Sequence, residues 1–502
     1  MQRRTFLQNG LLLGTAAGLL PGIGLVANGG LLPSSEPSLP IWEAALGGQW
    51  HIVKEWLRRD PSLINVTGRL NLYFVGQPQM TLLHLVAAYT KNVELLKYLI
   101  SLGANVNAKD GFDWTPLHGA AFRNPNVEVL EYLISQGADV NAKDHYRIPG
   151  RTICYGDTPL HKAAIKNSVE VMQYLISQGA DANTKNSNGD TLLHEAAASN
   201  SLEAIQYLIS LGADVNENTD GRSALYWAVN RTRNVEILKY LISQGADVTI
   251  KMSDGETLLH QVVSRYPLEV IQYFVSLGAD DVNAKDNYGR TPLYNAASHS
   301  LEVIQYLVAL GGDLHIKMKH GETLLHRVAA YNSHLDVVTY LVSQGLDIHA
   351  KGYDGETTLH VAARANENLE ILQYIVAQGV DVNSKDNKNR TPLHNASRQS
   401  LEFSQCLISH GAEVNVKNNE GQTPLHRAAM SISCSVEILQ YLVSEGADAT
   451  VKDNSGRTPL ELAQWMWKES EETYPQPEVI AYLASIKYDN LAREIIGQYT
   501  EQ

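Results

Sequence analysis

Nine of the seventeen histidines recur in one short phrase, each three residues after a threonine: His84, His118, His161, His194, His260, His326, His360, His394 and His426. A row of imidazoles invites metal chemistry, because neutral histidine is a common ligand. The spacing argues against it. One histidine per 33 or so residues places successive rings on separate structural units, whereas a metal site needs ligands that converge on one point. Tyr226 and Tyr294 take the histidine position in two further copies without disturbing the surrounding pattern, which a ligand role would hardly permit. His194-Glu195-Ala196-Ala197-Ala198 starts like a zinc-protease phrase but lacks its second histidine. The chain carries no P-loop, no G-x-S-x-G and no dinucleotide fingerprint. Cys154, Cys406 and Cys434 lie far apart, with no C-x-x-C pair, and are expected to be free thiols. The chain therefore reads as noncatalytic, with no metal and no cofactor.

Composition narrows the class further. The 502 residues hold 40 Lys plus Arg against 54 Asp plus Glu, a formal charge of −14, which argues against a nucleic-acid binder. With 44% apolar and 19% charged residues the usage is that of an ordinary globular chain.

The elements that carry the histidines repeat. A Thr-Pro-Leu-His phrase or near variant starts at Thr81, Thr115, Thr158, Thr191, Ser223, Thr257, Thr291, Thr323, Thr357, Thr391, Thr423 and Thr458, with spacings of 32 to 35 apart from a single 43 between Thr115 and Thr158. Each threonine can cap a helix by accepting a backbone N–H bond, and Pro116, Pro159, Pro292, Pro392, Pro424 and Pro459 stand at the first helical position, where no donor is lost. Ala pairs such as Ala120-Ala121 and Ala163-Ala164 let neighbouring first helices approach closely. A second helix, as in Val127 to Ile134, carries apolar residues at helical spacing and stops at a glycine such as Gly137, suited to a left-handed cap. Thr191, Thr291 and Thr391 lie 100 residues apart, the trace of a duplicated three-repeat block.

Thr115-Pro116-Leu117-His118 and Gly137-Ala138-Asp139-Val140-Asn141 identify the resemblance: the chain resembles an ankyrin-repeat protein over residues 38 to 490, with twelve to thirteen repeats. The resemblance implies an all-α solenoid, each repeat a helix-turn-helix plus a β-hairpin loop. The expected organisation is a capping repeat with an extended loop at 38–80, the array at 81–457, and a C-terminal capping repeat and tail at 458–502. In that last repeat Glu461 replaces the histidine, and Trp465 and Trp467 are available to cover the final core layer. The resemblance also implies that the histidine bonds within its turn and to the adjacent repeat. The second-helix tyrosines Tyr98, Tyr132, Tyr174, Tyr207, Tyr240, Tyr273, Tyr306, Tyr340, Tyr374 and Tyr441 are expected to pack along the helix layer with their hydroxyls at the wet edge, and Cys406 takes the equivalent place in one repeat.

Such arrays bind protein partners through the concave first-helix face and the hairpin tips. Here that face would present Tyr89, Phe122, Arg123, Lys166, Arg231, Arg265, His299, Tyr331, Arg364 and Arg398. Six of these are basic and none acidic, which favours a partner with an acidic surface; solvated, unengaged cations are the alternative. Two hairpins are enlarged. Asn65 to Thr81 carries Tyr73 and Phe74, and Asp144 to Gly156 carries Tyr146, Arg147 and Arg151. These loops either bind a partner or fold back over the core.

The N-terminus reads as a targeting segment. Arg3 and Arg4, followed by Phe6-Leu7 and an uncharged Gly-rich stretch from Gly10 to Val26, resemble a twin-arginine signal over 1–30, with a linker at 31–37. A bacterial exported or periplasmic scaffold follows as the expectation, in contact with membrane only during export; an uncleaved N-terminal anchor is the alternative. Within the binding class, an accessory that protects or assembles a client enzyme and a host-directed effector stay open. An enzyme with a site built from the long loops is the reading from another class.

Overall fold

The computed structural model describes residues 41–68, 80–90, 92–145, 156–166, 169–199, 201–318, 320–431, 435–469 and 477–486. The segment 1–37, the loop residues Tyr73, Phe74, Tyr146, Arg147 and Arg151, and Cys154 and Cys434 lie outside the described residues. The chain divides into two compact units, Met1–Asp247 and Val248–Gln502.

The fold is that of an all-α repeat solenoid. Among the described residues the first unit holds six helix pairs, from Ile41–Leu46 with Trp50–Arg59 to Ala224–Arg231 with Val235–Ser243, and the second holds seven, from Leu258–Val262 with Leu268–Ser276 to Pro459–Glu469 with a helix at 477–486. Strand structure among the described residues is confined to hairpins. Asn218–Thr219 pairs antiparallel with Arg222–Ser223, and elsewhere single bridges such as Lys185 to Thr191 and Lys351 to Thr357 close the turn before each threonine.

The local causes are those of the repeated phrase. Helix Pro116–Arg123 begins with Thr115 in extended backbone and Pro116 at the first position, and its capping box is completed by His118 rather than by the usual glutamate. The second helix Val127–Ser135 is capped by Asn126, whose side chain accepts from the Glu128 N–H, and it ends at Gly137 with φ of 88°. A Cβ at that angle would be strained, which is why glycine recurs there.

Packing follows the small and large residues of the phrase. Ala120 and Ala121 are buried, so the first helices Leu82–Tyr89 and Pro116–Arg123 lie against each other. Leu130 and Leu133 of the second helix are fully buried between the layers, and a side chain of that kind contributes about 1.5–3 kcal/mol by leaving water. The second-helix tyrosines, from Tyr98 to Tyr441, are half-buried, and Cys406 is buried in their column. The last layer is covered differently from the sequence expectation. Trp465 is 45% exposed, and it is Val479 and Leu483 of the helix at 477–486 that are buried. The apolar face of that terminal helix competes for the core, while the indole is held at the surface by Arg457 over its ring at 4.6 Å.

A second repeated device joins neighbours along the hairpins. Asn107 Nδ2 donates to the Gly137 carbonyl at 2.8 Å, and Asn107 Oδ1 accepts from the Asp139 N–H at 2.9 Å. Asn65, Asn141 and Asn216 do the same within the first unit. Asn283, Asn383 and Asn415 do it in the second. Each carboxamide bonds the carbonyl of the glycine that follows the next repeat's second helix and the N–H two residues beyond it, pinning that turn to the preceding hairpin. Replacing Asn107 by Ala removes both bonds, so a loss of about 1–2 kcal/mol is expected in urea denaturation, against less than about 0.5 kcal/mol for the exposed control Gln136→Ala.

Candidate functional site

The histidines come first, since their chemistry set the question. The Thr115 N–H donates to His118 Nδ1 at 3.1 Å, and His118 Nε2 lies 3.0 Å from the Asp157 carbonyl of the next repeat. An atom that accepts an N–H bears no proton, and a carbonyl can only accept. His118 is therefore the neutral tautomer with its hydrogen on Nε2. The same arrangement holds His84 to Trp114, His194 to Arg222, His260 to Arg290, His326 to Glu356, His360 to Arg390, His394 to Gln422 and His426 to Arg457. With both nitrogens engaged, none of these rings has a lone pair to give a metal. Burial holds all of them below the ordinary histidine pKa, His118 at about 3 and His394 at about 4.

A buried polar cluster lies in the first unit, at the base of the long loop after His145. Lys162, on helix Pro159–Lys166 directly after His161, places Nζ 2.7 Å from Asp144 and 2.6 Å from Asp157, with the Trp114 ring 4.8 Å away. The Asp157 N–H donates to Asp144 at 2.8 Å, and Asn186 donates to Asp157 at 3.0 Å. Asp144 and Asp157 flank the loop at its two ends, so one lysine ties its base. Burial raises Glu195 in the next repeat to about 8, with Asp157 and Asp190 adding to the effect. A protonated glutamate beside carboxylates has the makings of acid–base chemistry. Lys162 takes up Asp157 together with Asp144, and the described residues of the cluster include no nucleophile; the ion pair braces the fold there.

The first-helix face of the first unit is organised differently. Arg123 lies over the rings of Tyr89 at 5.2 Å and Phe122 at 5.4 Å, and Lys166 reaches the other side of Phe122 at 5.3 Å. Trp114 meets Phe122 edge-on at 5.5 Å. Arg231 stands over Trp227 at 5.2 Å. Arg123, Lys166 and Arg231 are exposed, Tyr89 is 54% exposed, and among the described residues no carboxylate lies within ion-pair distance of the three cations. Four of the residues singled out by sequence, Tyr89, Phe122, Arg123 and Lys166, thus form one continuous cation–aromatic patch.

In the second unit the named residues are less alike. Tyr331 is exposed beneath Arg327, which lies 4.3 Å from its ring and 5.4 Å from that of Tyr294. Arg364 is exposed but paired with buried Glu356 at 2.5 Å. Arg265, His299 and Arg398 are half-buried, and the His299 carbonyl accepts from Asn332.

Sequence reasoning passed over the positions just before the threonine and just after the histidine. These face one another, as Asp157 and Lys162 do, and Glu256 and Gln261. They also reach the next repeat: Arg290 pairs with Glu256 at 3.1 Å and Arg390 lies 3.5 Å from Glu356, each arginine being further held by the aspartate four residues before it. The signal was available as a column of charged residues before the threonine, among them Asp157, Asp190, Glu256, Arg290, Glu322, Glu356, Arg390 and Arg457.

Two family descriptions match the sequence. One described as ankyrin repeats (3 copies) matches residues 41–144, 160–252, 225–318, 309–386 and 359–453, and one described as ankyrin repeats (many copies) matches residues 120–176. No curated protein matches the chain in sequence.

The histidine pKa directions fix a pH dependence. The unfolded chain binds protons below pH 6.5, while the folded form resists them until about 4 at His394, where burial is joined by the nearby Arg427 charge and opposed by Asp386. The contribution of His394 is therefore complete above pH 6.5, falls as the pH drops, and at pH 5 has lost about 2 kcal/mol. Urea titrations of the parent at pH 7.5 and 5.0 should show stability declining with acid, and His394→Gln should flatten that decline by about the same 2 kcal/mol.

Proposed function

The chain belongs to the ankyrin-repeat family, whose repeats mediate protein–protein interaction and whose members are typically noncatalytic scaffolds; from that premise we propose that it captures a protein partner through the first-helix face of its first unit. The observation that supports this is the Tyr89–Phe122–Arg123–Lys166 patch. Its cations are exposed, lack carboxylate partners among the described residues, and are pre-positioned on aromatic rings. Aromatic and arginine side chains dominate binding energy in interfaces, where they fill well-packed, desolvated pockets. A guanidinium held over a ring is already ordered before the partner arrives. The complementary partner surface is acidic, although the chain itself carries −14.

An exported location is the second part of the proposal. Arg3-Arg4 with Phe6-Leu7 at the head of an uncharged Gly-rich stretch supports a twin-arginine route. Short-range, repeat-to-repeat contacts allow folding before such a translocase is met. Among the described residues no helix is long and apolar enough to cross a membrane. A dedicated client enzyme or a host protein would each satisfy the same binding face.

Capture from an envelope extract with the parent chain, beside a variant carrying Tyr89→Ala, Arg123→Ser and Lys166→Ser, tests the face. A defined protein retained by the parent and reduced at least about tenfold with the variant is expected, since each lost anchor costs on the order of 1 kcal/mol or more; equal retention by both would remove this face as the site. Export is tested by Arg3→Lys with Arg4→Lys, which keeps the charge but removes both guanidinium groups. The full chain should then stay in the cytoplasmic fraction, and undiminished export would discard the twin-arginine route.

A further inference from the structure

Before two of the threonines in the second unit, a glutamate supplies its carboxylate to neighbouring arginines. Glu256 takes Arg290 and Gln261. Glu356 takes both Arg364 and Arg390. At position 422 the column holds glutamine, which brings no carboxylate.

Arg427 follows His426 on helix Pro424–Ala429, in the position from which Lys162 and Gln261 reach the acids of their own repeats. Its guanidinium is half-buried and its Nε is fully enclosed with no acceptor, while Gln422 Oε1 is enclosed with no donor. Arg398, half-buried at the end of the preceding first helix, has no carboxylate within ion-pair distance among the described residues. The two segments are joined directly, Ser431 donating to the Arg398 carbonyl at 2.7 Å and Ser397 to the Pro424 carbonyl at 3.1 Å. Burial lowers the Arg427 pKa first and the Arg398 charge lowers it next; exposed Glu420 opposes them without pairing. The flanking cations are already answered, Arg390 by Asp386 at 2.7 Å and Arg457 by Asp453 at 3.4 Å. Arg427 is thus left without a carboxylate beside the unpartnered Gln422 side chain, with the Arg398 charge acting on it from the preceding repeat. In the repeats that begin at Thr257 and Thr357, a glutamate carboxylate stands at the corresponding place.

We propose that Arg398 and Arg427, with Gln422, form a carboxylate site that takes an aspartate or glutamate side chain from an acidic segment of a partner protein. The partner's carboxylate replaces the acid that the repeat lacks. A planar guanidinium binds a carboxylate through two parallel hydrogen bonds, and an enclosed one gains more from this than an exposed one because water competes less. This deepens the proposed scaffold function and rests on it, but it commits to a different part of the chain from the cation–aromatic patch.

The test uses the full chain and a fluorescein-labelled hexaglutamate peptide, read by anisotropy at low salt. The parent binds, and Arg427→Gln weakens binding at least about tenfold, as expected for a half-buried charge-assisted contact. Gln422→Glu supplies the missing carboxylate in cis and should weaken binding by a similar factor while raising the melting temperature. Gln136→Glu, exposed in the first unit, makes the same change in net charge and should alter binding less than about twofold, since screened charge at a distance contributes little. Absence of hexaglutamate binding by the parent, or equal weakening by Gln422→Glu and Gln136→Glu, overturns the site. So does stronger competition by inorganic phosphate than by glutarate, which would mark a phosphate site instead. A partner capture abolished by the Tyr89, Arg123 and Lys166 changes but untouched by Gln422→Glu would leave the scaffold function standing and sink this site alone.

Discussion

A neutral imidazole that accepts from the threonine starting its own helix and donates to the backbone of the next repeat is the contact on which eight of the repeats are built. It does two things with one side chain. It completes the cap of a short helix that could not hold itself together in water, and it fixes the rise between that helix and its neighbour, because the Nε2 to carbonyl distance stays between 2.8 and 3.1 Å in these eight repeats. Losing the ring would orphan a buried amide on one side and a carbonyl on the other, and unmade buried bonds of this kind each cost about 1–3 kcal/mol. Only an uncharged ring can make both bonds, so the burial that depresses the pKa is also what keeps the joint intact.

With spacing fixed by histidine along the helices and by asparagine along the hairpins, the intervening positions are free to differ. That freedom explains how one array accommodates a buried lysine between two aspartates, a run of cation–aromatic contacts and a charge ladder. A buried ion pair is costly to desolvate and contributes little net stability when merely present. Lys162 is tolerated because Asp144 and Asp157 both surround it and because it closes the ends of an enlarged loop, whose entropy rises only slowly with length. The ion pair holds a register that the longer hairpin would otherwise leave loose.

The periodic parts of this structure were legible in the sequence. Thr115-Pro116-Leu117-His118, the Ala120-Ala121 pair, the glycine at 137 and the tyrosine column all follow from rules that act within a few residues. The cation–aromatic patch was legible in part, because Phe122 and Arg123 are adjacent while Tyr89 and Lys166 come from neighbouring repeats at the same register. What escaped is what depends on partners that the fold brings from outside the phrase. Asp157 is close to Lys162 in sequence, but Asp144 and Trp114, which complete its enclosure, are not, and Lys166, four residues on, is left exposed. Trp465 misled for the opposite reason: a large apolar ring reads as core, yet an arginine and a competing helix held it at the surface.

On the proposed reading, binding sites in such an array would arise where the internal satisfaction of one repeat by the next is left incomplete. A fully answered ladder, as at Arg290 with Glu256 and Asp286, presents a partner with nothing to gain, since any new contact must first break an existing one. Arg364, although exposed, is in this state because Glu356 already holds it. Among the described residues, Arg123 and Lys166 of the first unit have aromatic rings beside them and no carboxylate partner, so the rings position them without neutralising them. Exposure alone is therefore a poor guide to where a partner docks on this face. The better guide is whether a charge has been answered from within the chain, because only an unanswered charge turns its electrostatic energy into affinity.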